Sequence, residues 1–202
     1  MQEVLSFLES QYYPLSAELL AYLAKCIKPH NLRKYFKLVQ EGSVSDRMYF
    51  VESGLIRCYI KKGDREICKW FMTKGNVVIG IRSFFLGVKS REIIETVQPC
   101  VLWSISKAEF NEACDLFPEF RKIAQRLTEK YYCDADKRAD DLRMLTPEEL
   151  YETLATEHLH LLKKDSGLTE DDLASYMGVT VPTFRKARDA YNDKQKKLSN
   201  LS

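Results

Sequence analysis

With 202 residues, 45% of them hydrophobic and 30% charged, a net charge of +2 and a pI near 8.1, the chain has the make-up of a globular protein. Its length suits one large domain or two small ones, and it contains no run of about 18 apolar residues to span a membrane. The charges nearly cancel, so nucleic-acid binding has to arise from a local surplus of cations.

The chain opens MQEVLSFLESQYYPLSAELLAYL, with acidic residues and no basic segment ahead of an apolar core. That pattern argues against a secretory leader and makes the cytoplasm the expected compartment. Val4, Phe7 and Leu8, then Leu19, Leu20, Leu23 and Ile27, recur at helical steps, which predicts two short helices separated at Pro14. From about residue 36 to 110 short runs rich in β-branched and aromatic residues take over: KLVQEG, RMYFVESGLIRCYI, REICKWFM, NVVIGI, REIIETV and CVLWSI. EGSVSD, KKGDR, TKGN and FLGVKS supply turns, and so many short strands predict a barrel or jelly roll. Cys26, Cys58, Cys68, Cys100, Cys114 and Cys133 are scattered and never form C-x-x-C. This is the pattern of free core thiols, without disulfides or an iron–sulfur cluster.

Within the β-zone, GIRSFFLGVKSRE (residues 80–92) combines two glycines, three basic side chains and two serines. Glycine beside arginine and hydroxyl groups builds either a phosphate cradle or a plain surface turn. Gly80, Ile81, Arg82, Ser90 and Arg91 are the candidate lining of an effector pocket.

After SKAEFNEACDLFPEF a long helix is predicted over 118–145, because Phe120, Ile123, Leu127, Tyr131, Ala135, Arg138, Leu142 and Leu145 follow steps of three and four. So narrow a stripe seals either against a partner helix or against the chain's own barrel. The first five of these residues are the candidate seam of a homodimer. Thr146-Pro147-Glu148-Glu149 reads as a cap, a first-turn proline and first-turn acids, opening a helix to about Leu162.

LTEDDLASYMGVTVPTFRKARDAYNDK, residues 168–194, has the spacing of a helix-turn-helix. Thr169 caps a first helix with Leu173 and Met177 on its apolar side; Ala174 and Gly178 permit close approach and a tight turn, and Val179 plugs the core. Thr180 caps a second helix with Pro182 in its first turn. Phe184, Ala187 and Tyr191 share one side of it, and Pro182, Arg185, Lys186 and Asp189 the other. From Val179 onward six Lys/Arg face two Asp/Glu, a local net of +4, which suits phosphate contact. Thr180, Val181, Thr183, Arg185, Lys186, Arg188 and Asp189 are the candidate DNA-reading residues.

In this order of parts the chain resembles the bacterial Crp/Fnr (catabolite activator) family of transcription regulators. YFKLVQEGSVSDRMYFVESGLIRCYI (residues 35–60, with Glu41-Gly42 and Gly54) is similar to the family's opening barrel strands. VLWSISKAEF (residues 101–110) is similar to its closing strand, and the helix-turn-helix matches without a gap. The resemblance implies an α+β protein with three parts. A cyclic-nucleotide-binding-like β-roll with flanking helices occupies 1–117, a central dimerisation helix 118–145, and a winged helix-turn-helix 146–202. It implies a DNA operator and RNA polymerase as partners, and no catalytic activity.

The chain departs from the family in ways that bear on ligand and operator. Members that bind cyclic AMP place a glutamate after the cassette glycine, for the ribose hydroxyl, and an arginine before a serine or threonine, for the phosphate. Here Gly80 is followed by Ile81 and Arg82, and Ser90 stands at the arginine position with Arg91 one residue late. One residue of slip turns a strand side chain to the opposite face. The expected effector is therefore something other than cyclic AMP, or none. The family's base-reading Arg-Glu is Val181-Pro182, while Lys186 keeps a basic reading position. The short LLKKDSGLTED linker leaves little room for a wing. A competing reading is a ligand-binding roll whose helical tail makes protein contacts instead of DNA contacts.

Other chemistries find little support. His158 and His160, two apart on a predicted helix, diverge by about 200° and cannot share a metal there. G-x-S-x-G, H-E-x-x-H and Walker sequences are absent. A haem sensor of the family's kind would have to draw on Cys68 or Cys100.

Overall fold

The fold was analysed in a computed structural model that describes residues 2–11 and 15–200. Pro14, the expected helix break, lies outside the described residues. Helices α1 (Gln2–Gln11) and α2 (Ala17–Cys26) lead the chain. Ser16 starts α2 by accepting from the Leu19 N–H at 3.3 Å, and its hydroxyl donates to Glu119 at 2.6 Å.

The β-zone forms two four-stranded sheets. One has the order β1 (Lys28–Leu32), β8 (Cys100–Ser106), β3 (Arg47–Ser53), β6 (Val77–Val78), antiparallel throughout. The other runs β2 (Lys37–Val39), β7 (Glu92–Thr96), β4 (Ile56–Lys62), β5 (Arg65–Met72). β1 is a strand that hydropathy hides: KPHNL carries a proline and no β-branched residue, and pairing along β8 makes it extended. NVVIGI yields only the two residues of β6, and the following IRSFFL forms helix α3 (Ile81–Leu86), ended by Gly87 at φ +68°. Beneath the roll, Leu19 and Leu23 from α2, and Ile27 just after it, join Phe50, Ile105 and Phe120 in one apolar core.

Helix α4 (Lys107–Leu116) opens on a capping box between Ser106 and Glu109. The long helix is α5, Pro118–Met144, close to its expected span. α6 (Pro147–Glu157) begins as expected at the Thr146/Glu149 box but stops short of Leu162, where a 3-10 turn of Leu159–Leu162 replaces its last turn. α7 (Glu170–Tyr176) and α8 (Val181–Ser199) follow. Between α6 and α7 the described residues form 3-10 turns and no strand, so no wing hairpin precedes the motif.

Two compact units result. One comprises residues 1–58 and 71–133; the other comprises residues 59–70, the tip of the β4–β5 hairpin, and 134–202.

Candidate effector pocket and nucleic-acid interface

In the first unit the 80–92 cassette is folded onto the 42–45 loop. The Ser83 side chain is buried and its Oγ accepts from the Ser45 N–H at 2.7 Å. Phe84 is buried beside it, edge-on to Phe110 with ring centroids 5.8 Å apart. Ser90 is buried too. Its N–H donates to Ser43 O at 2.7 Å, its carbonyl accepts from Gly42 N at 2.8 Å, and its Oγ accepts from the Glu92 N–H at 3.0 Å and donates to Glu92 O at 2.9 Å. Ile81, Arg82 and Arg91 are exposed, and neither arginine makes an ion pair among the described residues. Gly80 is closely packed: a Cβ there would stand 3.3 Å from Ser45 Cβ.

The cassette departs from the pattern expected for cyclic AMP: Ile81 and Arg82 follow Gly80, the buried Ser90 hydroxyl is bonded to Glu92, and Arg82 and Arg91 are exposed. A mostly buried cation is Arg57 on β4, whose Nε donates to Glu95 Oε1 of the neighbouring β7 at 2.9 Å; their side chains are 15% and 6% exposed.

Sequence reading missed a second polar cluster, on the other sheet. Ser104 Oγ accepts from Arg47 Nε at 3.0 Å and lies 2.7 Å from His30 Nε2. Burial, and then the Arg47 charge, push His30 below its ordinary value, so the ring is neutral near pH 7. The residues come from three strands, β1, β3 and β8, so only the pairing brings them together.

An apolar cleft of about 560 Å³, counted to its open mouth, lies between α1, α2, the first sheet and α5. Of the five candidate seam residues, Phe120, Ile123 and Leu127 line this cleft, and the Tyr131 hydroxyl accepts from the Val77 N–H at 2.8 Å. Phe120 and Ile123 are buried and Leu127 and Tyr131 half-buried; Ala135 is exposed, as is the large side chain of Tyr132.

In the second unit, Thr169 and Asp172 close a capping box at α7, and Thr180 Oγ1 accepts from Thr183 N at 3.4 Å at the start of α8. Gly178 takes φ +69°, and the Val179 N–H reaches back to Ala174 O at 2.9 Å, which makes the turn tight. Phe184 and Ala187 are buried, with the Tyr151 ring of α6 edge-on to Phe184 at 5.5 Å between centroids. Val179 is half-buried rather than a full plug. On the opposite side Arg185, Lys186 and Asp189 are exposed, while Val181, Thr183 and Arg188 are half-buried and Thr180 exposed at the turn.

Glu170, the first residue of α7, holds two of these side chains. Its Oε2 accepts from Arg185 Nε at 2.7 Å and Nη2 at 2.6 Å, and its Oε1 from Arg188 Nη1 at 2.6 Å. The two guanidinium groups keep its carboxyl below the usual range. Arg138, which interrupted the apolar stripe of α5, lays its guanidinium 3.7 Å from the Tyr176 ring centroid and donates to Tyr176 O.

His158 and His160 sit beyond the end of α6, so the helical angle expected between them does not apply. Their ring centroids are 6.2 Å apart, and burial lowers both pKa values. Among the described residues no three His, Cys, Asp or Glu side chains gather as metal ligands, and no helix is long and apolar enough to cross a membrane.

Residues 30–116 match the cyclic nucleotide-binding domain family. No curated protein sequence matches the chain. Among solved structures, FixK2 from Bradyrhizobium japonicum superposes with a TM-score of 0.71 at 18% identity, over 84% of this chain and 86% of that one. CLP of Xanthomonas campestris, described as a c-di-GMP responsive global regulator, gives 0.65 at 17% identity over 89% and 93%. A Crp/Fnr-family regulator described as putative, from Eubacterium rectale, gives 0.68 at 13% identity over 89% and 85%. Residues 30–116 are therefore similar to the cyclic nucleotide-binding domain family, and the chain shares the fold of these solved structures.

Proposed function

We propose that the protein is a homodimeric, sequence-specific DNA-binding transcription regulator whose roll does not respond to cyclic AMP. One observation carries this reading. A tight αL turn at Gly178 presents α8 with Phe184 and Ala187 buried and Arg185, Lys186 and Asp189 exposed, a surface of the size and charge that enters a major groove. The fold shared with regulators of the Crp/Fnr type supports it. The dimer contact falls to the part of α5 where exposure rises, with half-buried Leu127 and Tyr131 beside exposed Tyr132 and Ala135, since Phe120 and Ile123 are buried in the chain's own core. RNA polymerase is the downstream partner of this reading.

The test is a salt titration of binding to duplex DNA. The regulator gives a steep negative slope of log affinity against log salt, and Lys186→Ala flattens it by about one if that ammonium meets a phosphate. Binding that ignores salt, or no binding, favours a helical tail that makes protein contacts. Cyclic AMP and cyclic di-GMP, added separately, leave the melting temperature unchanged if the cassette is closed to nucleotides. A saturable rise with cyclic AMP overturns that part.

A further inference from the structure

Two of the three cations on the reading side of α8 are occupied before any DNA arrives. One carboxylate, Glu170, takes Arg185 on one oxygen and Arg188 on the other, each within 2.7 Å. Arg188 is held from a second side by Asp189, whose Oδ1 accepts from its Nε at 3.2 Å. Lys186 between them makes no ion pair among the described residues. Glu170 thus offers the arginines what a phosphate would: two anionic oxygens in bidentate reach of guanidinium groups. It also puts a negative charge at the start of α7, beside a surface that must approach a polyanion.

We propose that Glu170 is a specificity-determining residue of the DNA interface: by holding Arg185 and Arg188 it withholds both from phosphates, so random duplex meets fewer cations than α8 carries. A site whose base edges or phosphates fall where the arginines already point exchanges Glu170 for DNA; an arbitrary sequence does not. The inference rests on the DNA-binding reading above. It changes what that reading expects of Arg185: in the natural protein Arg185→Ala leaves the random-duplex salt slope almost untouched.

The experiment compares the full chain with Glu170→Gln and with Asp171→Asn, which removes the same charge one residue away. Both variants are binding-tested on one random duplex across a salt series. The Thr169/Asp172 capping box is untouched by Glu170→Gln, and a thermal melt checks that the fold is kept. Glu170→Gln is expected to bind about tenfold tighter at physiological ionic strength and to steepen the slope by about one to two: about one for Arg185 and up to about one more for Arg188, which keeps Asp189 as a partner. Adding Arg185→Ala to Glu170→Gln takes about one of these back. Asp171→Asn, which frees no arginine, tightens binding with much less change in slope.

Equal slopes for the natural protein and Glu170→Gln, with salt-dependent binding present in both, overturn the role of Glu170 and leave the regulator reading standing. Equal steepening by both variants overturns it as well, because charge alone then explains the effect. Absence of duplex binding by all the proteins overturns the regulator reading and this inference with it.

Discussion

Ser90 and Arg91 are adjacent, yet Ser90 is 6% exposed and Arg91 faces solvent. The Ser90 hydroxyl bridges the N–H and carbonyl of Glu92, which fixes the entry into β7 and sends the arginine outward. Arg91→Ala is therefore expected to stay within about 0.5 kcal/mol of the natural stability in urea unfolding. Ser90→Ala costs about 1–2 kcal/mol, because it removes the acceptor of the Glu92 N–H. The reverse order of effects would place Arg91 in the structure and not outside it.

The Arg57–Glu95 pair gives a sharper contrast. Its side chains are 15% and 6% exposed, so removing one partner takes the direct counter-charge from the other where water is scarce. Glu95→Ala is expected to cost about 3–5 kcal/mol, while Arg57→Leu with Glu95→Leu comes close to the natural protein. Chemical denaturation of the three proteins measures both; a mild Glu95→Ala would mean that the pair is more hydrated than its burial says.

Two glycines with positive φ separate backbone strain from steric clash. Gly63 has φ +62° in open space, so Gly63→Ala carries only the left-handed cost of about 1–2 kcal/mol. Gly54 has φ +97°, and a Cβ there would come within 2.7 Å of Pro99 O, with the Cys100 sulfur closer still. Gly54→Ala adds overlap to strain and is expected to cost at least about 3 kcal/mol, seen as a collapse of soluble yield or melting temperature.

Stability should fall on mild acidification. Burial lowers the pKa of His30, His158 and His160 below 6.5 in the folded chain. Below that value the unfolded chain takes up protons that the folded chain refuses, so stability drops as pH falls from 6.5 toward the folded values. The lowered carboxylates, Glu170 among them, lose their contribution only below 4.5, so the two effects separate. Melting at about pH 7.5 and about pH 5.5 reads the histidine part, and His158→Gln with His160→Gln should shrink the difference. A flat profile between those values would show the rings to be hydrated.

The parts legible in the sequence were those with local causes. The N-caps at Thr146 and Thr169, the Gly178 turn and the span of the long helix follow from neighbours within a turn or two. What escaped was set by distant partners. β1 is extended because β8 lies beside it, the Ser104 cluster needs three strands, and Glu170 reads as an ordinary first-turn acid until α8 folds back across it. The apolar stripe of α5 was visible, but a stripe carries no label for its partner; here the roll takes Phe120, Ile123 and Leu127.

The pairing of β1 with β8 also orders events in time. Leu32 meets Cys100 and Lys28 meets Ser104, so the first strand has no neighbour in its sheet until the last strand has left the ribosome. Before β8 is made, the first sheet can hold only the β3–β6 pair, whereas α7 and α8 are separated by only a few residues of chain. Closing so long a loop costs more chain entropy than pairing neighbouring strands, so the β1–β8 contact is the pairing of this sheet expected to form late.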